Sequence, residues 1–241
     1  MRRTVLFGAS LLVAAAAVGL GLWQLRRLGA RREANRIAAA ARAMPPLALA
    51  GADSVRLGLN RRARLVGLFD ERHEFLLRGR VVQGVPAVLV VTPLRTAGRD
   101  TAMLVNRGYV PAPDATDPGA ATWSEPGTIE VEGVLLPVPD RGDGAPLLRD
   151  GRETWRALDL AAMRNRLPYP IAPLYLVAES TDSASLAHTV RGRVYPFRAQ
   201  VPGLDDGPHL MYAVQWFGIG VAVLAFGWLF ILRRPAWRKV E

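Results

Sequence analysis

Two long apolar stretches bracket this 241-residue chain, and they limit its architecture more than any other feature. The first runs from Val5 to Leu22 and ends in Trp23-Gln24-Leu25-Arg26-Arg27. The second follows Pro208-His209-Leu210-Met211-Tyr212-Ala213-Val214-Gln215-Trp216-Phe217 and continues to Leu232, where Arg233-Arg234 stop it. A helix needs about 20 apolar residues to cross roughly 30 Å of hydrocarbon. Both runs are long enough, and neither contains an acidic or basic side chain. The sequence therefore predicts a first transmembrane helix over 4–23, a second over 209–232, and a short basic tail over 233–241. Residues 24–208 have the mixed charge, proline and glycine of a folded aqueous domain, with a basic stalk over 24–62 and a β-rich core over 63–200.

Arg2-Arg3 and Ala14-Ala15-Ala16-Ala17 also fit a cleavable secretion signal. The run nevertheless continues through Val18, Leu20 and Leu22 to Trp23, an interfacial residue type, so an uncleaved anchor is expected. Charge gives a mixed account of orientation. Arg26, Arg27, Arg31 and Arg32 follow the first span, whereas the second has Asp205 and Asp206 before it and Arg233, Arg234, Arg238 and Lys239 after it. The charge rule is weak across translocated segments longer than about 60 residues.

The formal net charge is +10, and Lys239 is the only lysine among 31 basic residues. Alanine, glycine and proline are also abundant, which points to a compositional bias of the genome as much as to a binding surface, and no nucleic-acid partner is expected. Ten arginines between Gln24 and Arg64 face only Glu33 and Asp53, consistent with a solvated, partly helical stalk. The chain has no cysteine, so the aqueous domain has neither a disulfide nor a thiolate metal ligand.

Within the central region, Ala63–Phe69, Glu74–Leu77, Arg78–Val82, Ala87–Val91, Met103–Asn106, Gly127–Leu136, Tyr175–Ala178 and Val190–Tyr195 read as strands, with Gln83-Gly84 as a turn. The Ala87 strand is expected to end at Thr92-Pro93. Residues 111–126 and 139–150 read as loops for which no function can be named. Trp155–Arg166 changes to a helical period, with Trp155, Leu158 and Ala162 on one face. Strands at short spacing with one or two helices indicate a mainly antiparallel sheet or open barrel, and the fold class is a membrane protein of α+β type.

No hydrolytic or phosphate-binding motif is present, so enzymatic activity is not expected. Of the three histidines, His73 and His188 read as exposed loop residues. His209 stands at the first turn of the second apolar helix, and Tyr212, Ala213 and Trp216 share its face. A neutral imidazole there could coordinate iron, with Ala213 leaving room for a flat ring and Tyr212 and Trp216 packing against it. The same residue types serve equally as headgroup anchors.

Taken in order, these residues resemble the surfeit-locus family of cytochrome c oxidase assembly proteins. The match begins with Gly21-Leu22-Trp23-Gln24-Leu25-Arg26-Arg27 and continues through Val66-Gly67-Leu68-Phe69 and Thr92-Pro93-Leu94. It then takes in Leu104-Val105-Asn106-Arg107-Gly108-Tyr109-Val110-Pro111, Gly133 with Pro137, and Pro173-Leu174-Tyr175-Leu176. It ends with His209 to Phe217. Tyr109 stands where the family usually has tryptophan, and Gly207-Pro208 replaces a polar pair before the histidine. The resemblance implies a multi-pass protein of the bacterial inner membrane with both termini cytoplasmic and the central domain outside. It also implies a role in forming the haem a centre, with the oxidase catalytic subunit, haem a synthase and membrane lipid as partners. His209 matches the position at which a haem ligand is expected. The alternative is a scaffold that stabilises an oxidase intermediate without a cofactor. Trp23-Gln24 and Gln215-Trp216 fall at one depth if the two helices are antiparallel neighbours, where they could frame the site or lock the helices together.

Overall fold

The computed structural model describes residues 2–49, 58–119, 123–140, 142, 145–149, 151–179, 189–190, 193–194, 196–198 and 201–232. The chain divides into two compact units: a helical unit made from the two chain ends, and a central unit over Ala38–Gly203.

The helical unit holds most of α1 (Arg2–Ala43) and all of α3 (His209–Phe226), which continues as a π-helical turn over Gly227–Leu232. Helix α1 does not stop where its apolar run stops. The following segment keeps good helix formers, including four consecutive alanines at 38–41, and an Arg36–Glu33 ion pair of 2.6 Å one turn apart supports it. Pro45 and Pro46 follow its end. The stretch read as a stalk is thus helical over its first half.

Along α1 as far as Leu28 the buried positions are Ala14, Ala17, Gly21, Gln24 and Leu28, spaced alternately by three and four. On α3 they are Ala213 and Gly220, with Gly227 seven residues further on. His209, Trp216 and Val223 are half-buried and continue the same three-and-four spacing, with His209 at its head. This is the seam of two helices that keep one face toward each other. Residue numbers run in opposite directions across it. A Cβ on Gly21 would meet the Phe217 ring at 2.5 Å, one on Gly220 would lie 3.6 Å from the Ala14 carbonyl oxygen, and one on Gly227 would lie 3.2 Å from Ser10. The helices are therefore antiparallel neighbours packed through small residues. Gly19 and Gly218, which a sequence count of small residues would add to the seam, face open space. Both helices are long and apolar enough to cross a membrane.

Among the described residues, the central unit is built on a sheet of nine strands: β1 (Leu47–Ala48), β2 (Arg62–Phe69), β3 (Phe75–Val82), β4 (Val85–Arg95), β5 (Ala102–Pro111), β6 (Ile129–Pro137), β7 (Leu147–Arg149), β8 (Arg152–Trp155) and β9 (Ile171–Ala178). Their order is β1-β2-β6-β9-β5-β4-β3-β8-β7, and β2 also pairs with β4. That extra pairing, Leu68 with Arg95 and Phe69 with Leu94, closes β2-β6-β9-β5-β4 into a small barrel. A separate hairpin joins β10 (Thr189–Val190) to β11 (Arg193–Val194). The sheet is mainly antiparallel, but β1–β2, β3–β8 and β5–β9 are parallel pairs.

Alternation places the core. Strand β2 buries Ala63, Leu65 and Gly67 and turns Arg62, Arg64, Val66 and Leu68 outward. Leu65, Leu94, Val105, Leu135 and Leu176 meet inside the barrel. A second cluster gathers Phe75, Leu104, Trp155, Met163 and Ile171.

Four expectations change, the first being the single strand over Val190–Tyr195, whose described residues instead belong to the β10–β11 pair. Strand β4 passes through Pro93 rather than ending before it. On that edge β4 pairs with β3 as far as Val91 and with β2 from Leu94. Pro93 lies in the gap between the two partners, where a missing N–H removes no ladder bond, and its carbonyl accepts from Asp70 N at 2.9 Å. The predicted helix over 155–166 shortens to α2 (Leu160–Arg164), because Trp155 ends β8 and Asp159 caps the helix through its side chain on Ala162 N at 2.8 Å. The segment read as a loop over 139–150 contains β7, which hairpins onto β8. Tyr195, His188 and the tail over 233–241 lie outside the described residues.

Candidate functional site

The strongest constellation in the helical unit surrounds His209. Gly207, at φ 66°, turns the chain into α3, and its N–H donates to Asp205 Oδ1 at 2.9 Å. The same loop is fastened to α1: Arg32 Nε meets Asp206 Oδ2 at 2.8 Å, and Asn35 Nδ2 donates to the Asp205 carbonyl at 2.8 Å. This places His209 in the seam, where its Nδ1 lies 2.9 Å from Gln24 Oε1. Gln24 is only 9% exposed. Among the described residues, no group offers His209 Nε2 a hydrogen-bond partner.

An open pocket of about 530 Å³ lies beside the imidazole, lined by Arg27, Ala30, Arg31, Asp205, Gly207, Pro208 and His209. Arg31 is already turned toward Asp205, with Nε 3.1 Å from its carbonyl oxygen. Arg27 instead rests over the Trp23 ring at 5.8 Å. The structure thus gathers His209 and Gln24 with two arginines. It does not bring Tyr212 or Trp216 into the pocket lining. Tyr212 is exposed, and Trp216 is half-buried in the seam two turns into α3. Gln215 is exposed, so Gln24 and not Gln215 makes the polar contact between the helices.

His73 is not a plain loop residue. Its Nδ1 lies 2.9 Å from Asp70 Oδ2, and the Tyr169 hydroxyl donates to the same oxygen at 2.7 Å. Arg95 stacks over the Tyr169 ring at 5.1 Å. Burial raises the Asp70 carboxyl, but the hydrogen bonds from Tyr169 and His73 outweigh it and hold the group below the ordinary range. Burial, with the Asp70 carboxylate beside it, pushes the Tyr169 phenol up.

Among the described residues, the largest fully buried side chain is Arg107, on β5. Its guanidinium reaches Glu125 at 3.1 Å, Glu71 at 3.4 Å and Thr92 Oγ1 at 3.4 Å, donates to the Trp123 carbonyl, and lies over the Phe69 ring at 4.6 Å. Arg198 adds a second cation on Glu125 at 2.9 Å. Burial raises the Glu74 carboxyl, against the lowering effect of the Trp123 indole and Arg107. An arginine inside the apolar run Met103–Val110 was the available sequence signal for this centre. Every acceptor around it is met from another segment, so its role is to hold the barrel wall together. Among the described residues, no group of three or more histidine or acidic side chains is arranged to hold a metal ion.

Comparison with known proteins extends over nearly the same span. The sequence model of the SURF1 family matches residues 11–221. A SURF1-like protein from Monosiga brevicollis is 28% identical over 242 aligned positions, covering 95% of this chain and 88% of that one. Surfeit locus protein 1 from Takifugu rubripes is 27% identical, covering 88% of this chain and 91% of that one. A bacterial SURF1-like protein, from Rickettsia conorii, is 23% identical, covering 93% and 89% respectively.

Proposed function

Because the chain belongs to the SURF1 family, we propose that it is a non-enzymatic assembly factor for haem-copper cytochrome c oxidase. In this reading α1 and α3 anchor it in a bacterial inner membrane, both termini face the cytoplasm, and the β-rich unit stands outside. It receives haem a from its synthase and holds it as cargo for the catalytic subunit.

The observation that carries the cargo reading is the imidazole of His209, fixed on one nitrogen by Gln24 and open on the other toward a pocket. An iron porphyrin asks a carrier for a neutral nitrogen donor, room on one side, and cations for its carboxylates. His209 supplies the first, the pocket the second, and Arg27 and Arg31 the third, so the residues fit the group. Haem brings a redox-active iron that takes axial ligands, and the chain's part is to bind, orient and release it. An open site suits that work, since the cargo must leave. Anchoring is supported by the apolar side chains left exposed along both helices, among them Leu12, Leu22, Val214, Val221 and Phe226. Exposed apolar surface on this scale is covered by lipid or by partner helices.

The test is His209→Ala, purified in detergent from cells that make haem a. The variant should insert and fold, carry less haem a, and lower the yield of haem-loaded oxidase. His73→Ala and His188→Ala should keep the parent's haem content. Wild-type haem content in His209→Ala removes the ligand assignment. A parent protein that takes no haem a, yet is still needed for oxidase yield, makes it a scaffold.

A further inference from the structure

The short stretch Gly21 to Arg27 carries four residues whose places in the helical unit differ. Gly21 admits the Phe217 ring to the seam. Trp23 is half-exposed and lies beneath the Arg27 guanidinium. Gln24 is buried in the seam against His209. Arg27 lines the pocket beside His209. Among the described residues Arg27 has no carboxylate partner, in contrast to Arg31 and Arg32, which meet Asp205 and Asp206.

We infer that Gln24 is the positioning residue for His209 and that Arg27 receives a porphyrin carboxylate; both assignments rest on the haem reading above. An amide oxygen only accepts a hydrogen bond, so the His209 nitrogen facing it carries the ring proton. In the neutral ring the lone pair then sits on Nε2. A histidine that ligates a metal commonly donates its other N–H to a fixed acceptor, which sets both tautomer and ring plane. Burial in the seam keeps Gln24 from swinging away, so the acceptor is in place before any ligand arrives. Arg27 lies one helical turn beyond Gln24, where stacking on Trp23 restrains a guanidinium that is otherwise ready for a carboxylate. The two residues serve different parts of one ligand: Gln24 acts through the iron donor, Arg27 on the ring's acidic edge.

The experiment titrates the full-length protein in detergent with two probes, iron protoporphyrin and metal-free protoporphyrin, and records affinity and Soret absorption. Gln24→Leu should weaken iron protoporphyrin about tenfold and shift its Soret band, while leaving the metal-free ring unchanged. Gln24→Glu, which keeps an acceptor, should restore the band. Arg27→Leu should weaken both probes about tenfold, and Arg27→Lys should recover part of the loss. Nitrogen-15 NMR of the ligand-free protein should show the His209 proton on Nδ1 in the parent and lose that preference in Gln24→Leu. Parent-like affinity and Soret band in Gln24→Leu, or a parent proton on Nε2, overturns the positioning role. Unchanged affinity for both probes in Arg27→Leu overturns the carboxylate role. In either case the haem reading survives, provided the parent binds iron protoporphyrin through His209. A parent that binds neither probe overturns the haem reading and this inference together.

Discussion

His209 Nδ1 and Gln24 Oε1 meet at 2.9 Å across 185 residues of sequence. The contact joins the first turn of α3 to the middle of α1 and fixes the register of the pair. Its neighbours along the seam, Gly21 under Phe217 and Gly220 beside Ala14 and Ala17, are consistent with one antiparallel alignment and no other. Of these two polar residues, Gln24 is buried in the seam and His209 also lines the adjoining pocket.

The seam predicts unequal effects at neighbouring glycines. Gly21→Leu should separate the helices, since its first carbon already meets the Phe217 ring, and Gly220→Leu should do so to a smaller degree. Gly218→Leu, pointing into open space, should be neutral. Thermal unfolding in detergent, followed by helical circular dichroism, should rank them Gly21, Gly220, Gly218 from most to least damaging. Equal losses at all three would remove the small-residue seam as the basis of packing.

Arg107 predicts a large loss of stability from a single charge. Arg107→Met leaves Glu71 without its cation, Glu125 with Arg198 alone and the Trp123 carbonyl without its donor, and should cost about 3 kcal/mol. Arg107→Lys should fail as well, because an ammonium cannot reach Glu125, Glu71 and the Trp123 carbonyl together. Denaturant titration of the full chain reads the effect, and a Lys variant as stable as the parent would contradict it.

Asp70 predicts a specific acid sensitivity. Its folded pKa is depressed, so its stabilisation is fully present above the unfolded value, about 3.9. It is lost as pH falls through the lower folded value. Asp70→Asn should therefore be less stable than the parent at pH 6, and the gap should narrow below pH 4. A stability difference that stays constant from pH 6 to pH 2.5 would show that the Tyr169 and His73 contacts do not depend on the carboxylate charge.

Anchoring predicts opposite results from two reporter fusions. A phosphatase fused at Asp140 should be active outside the cytoplasm, and one fused at Glu241 should be silent. The reverse pattern would invert the proposed topology.

Short-range signals carried much of this in advance. Length and apolarity mark both terminal helices, because a helix closes its backbone hydrogen bonds within itself. Period-two alternation marks β2 because it buries one face, and marks β6 only as far as Gly133, where Gly133, Val134 and Leu135 are buried in succession. The motif series from Gly21 to Phe217 marks the family. Misreadings arose where a local pattern was overruled by a distant partner. Pro93 sits inside β4 only because β3 and β2 divide that edge between them. Trp155 joins a strand because β3 offers it a parallel edge.

The sequence by itself determined which segments are apolar, which alternate, and where His209 stands at the head of its helix. The tertiary structure decided that Gln24 is the partner of His209, that Tyr212 points outward, and that β2 meets β4 to close a barrel. It also decided that Arg107 is enclosed by Glu71 and Glu125, and that His73 shares Asp70 with Tyr169. Apart from the orientation of Tyr212, each of these brings together groups between 18 and 185 residues apart in the sequence. Periodicity reports which face of an element is buried, and only the packed chain supplies what lies against it.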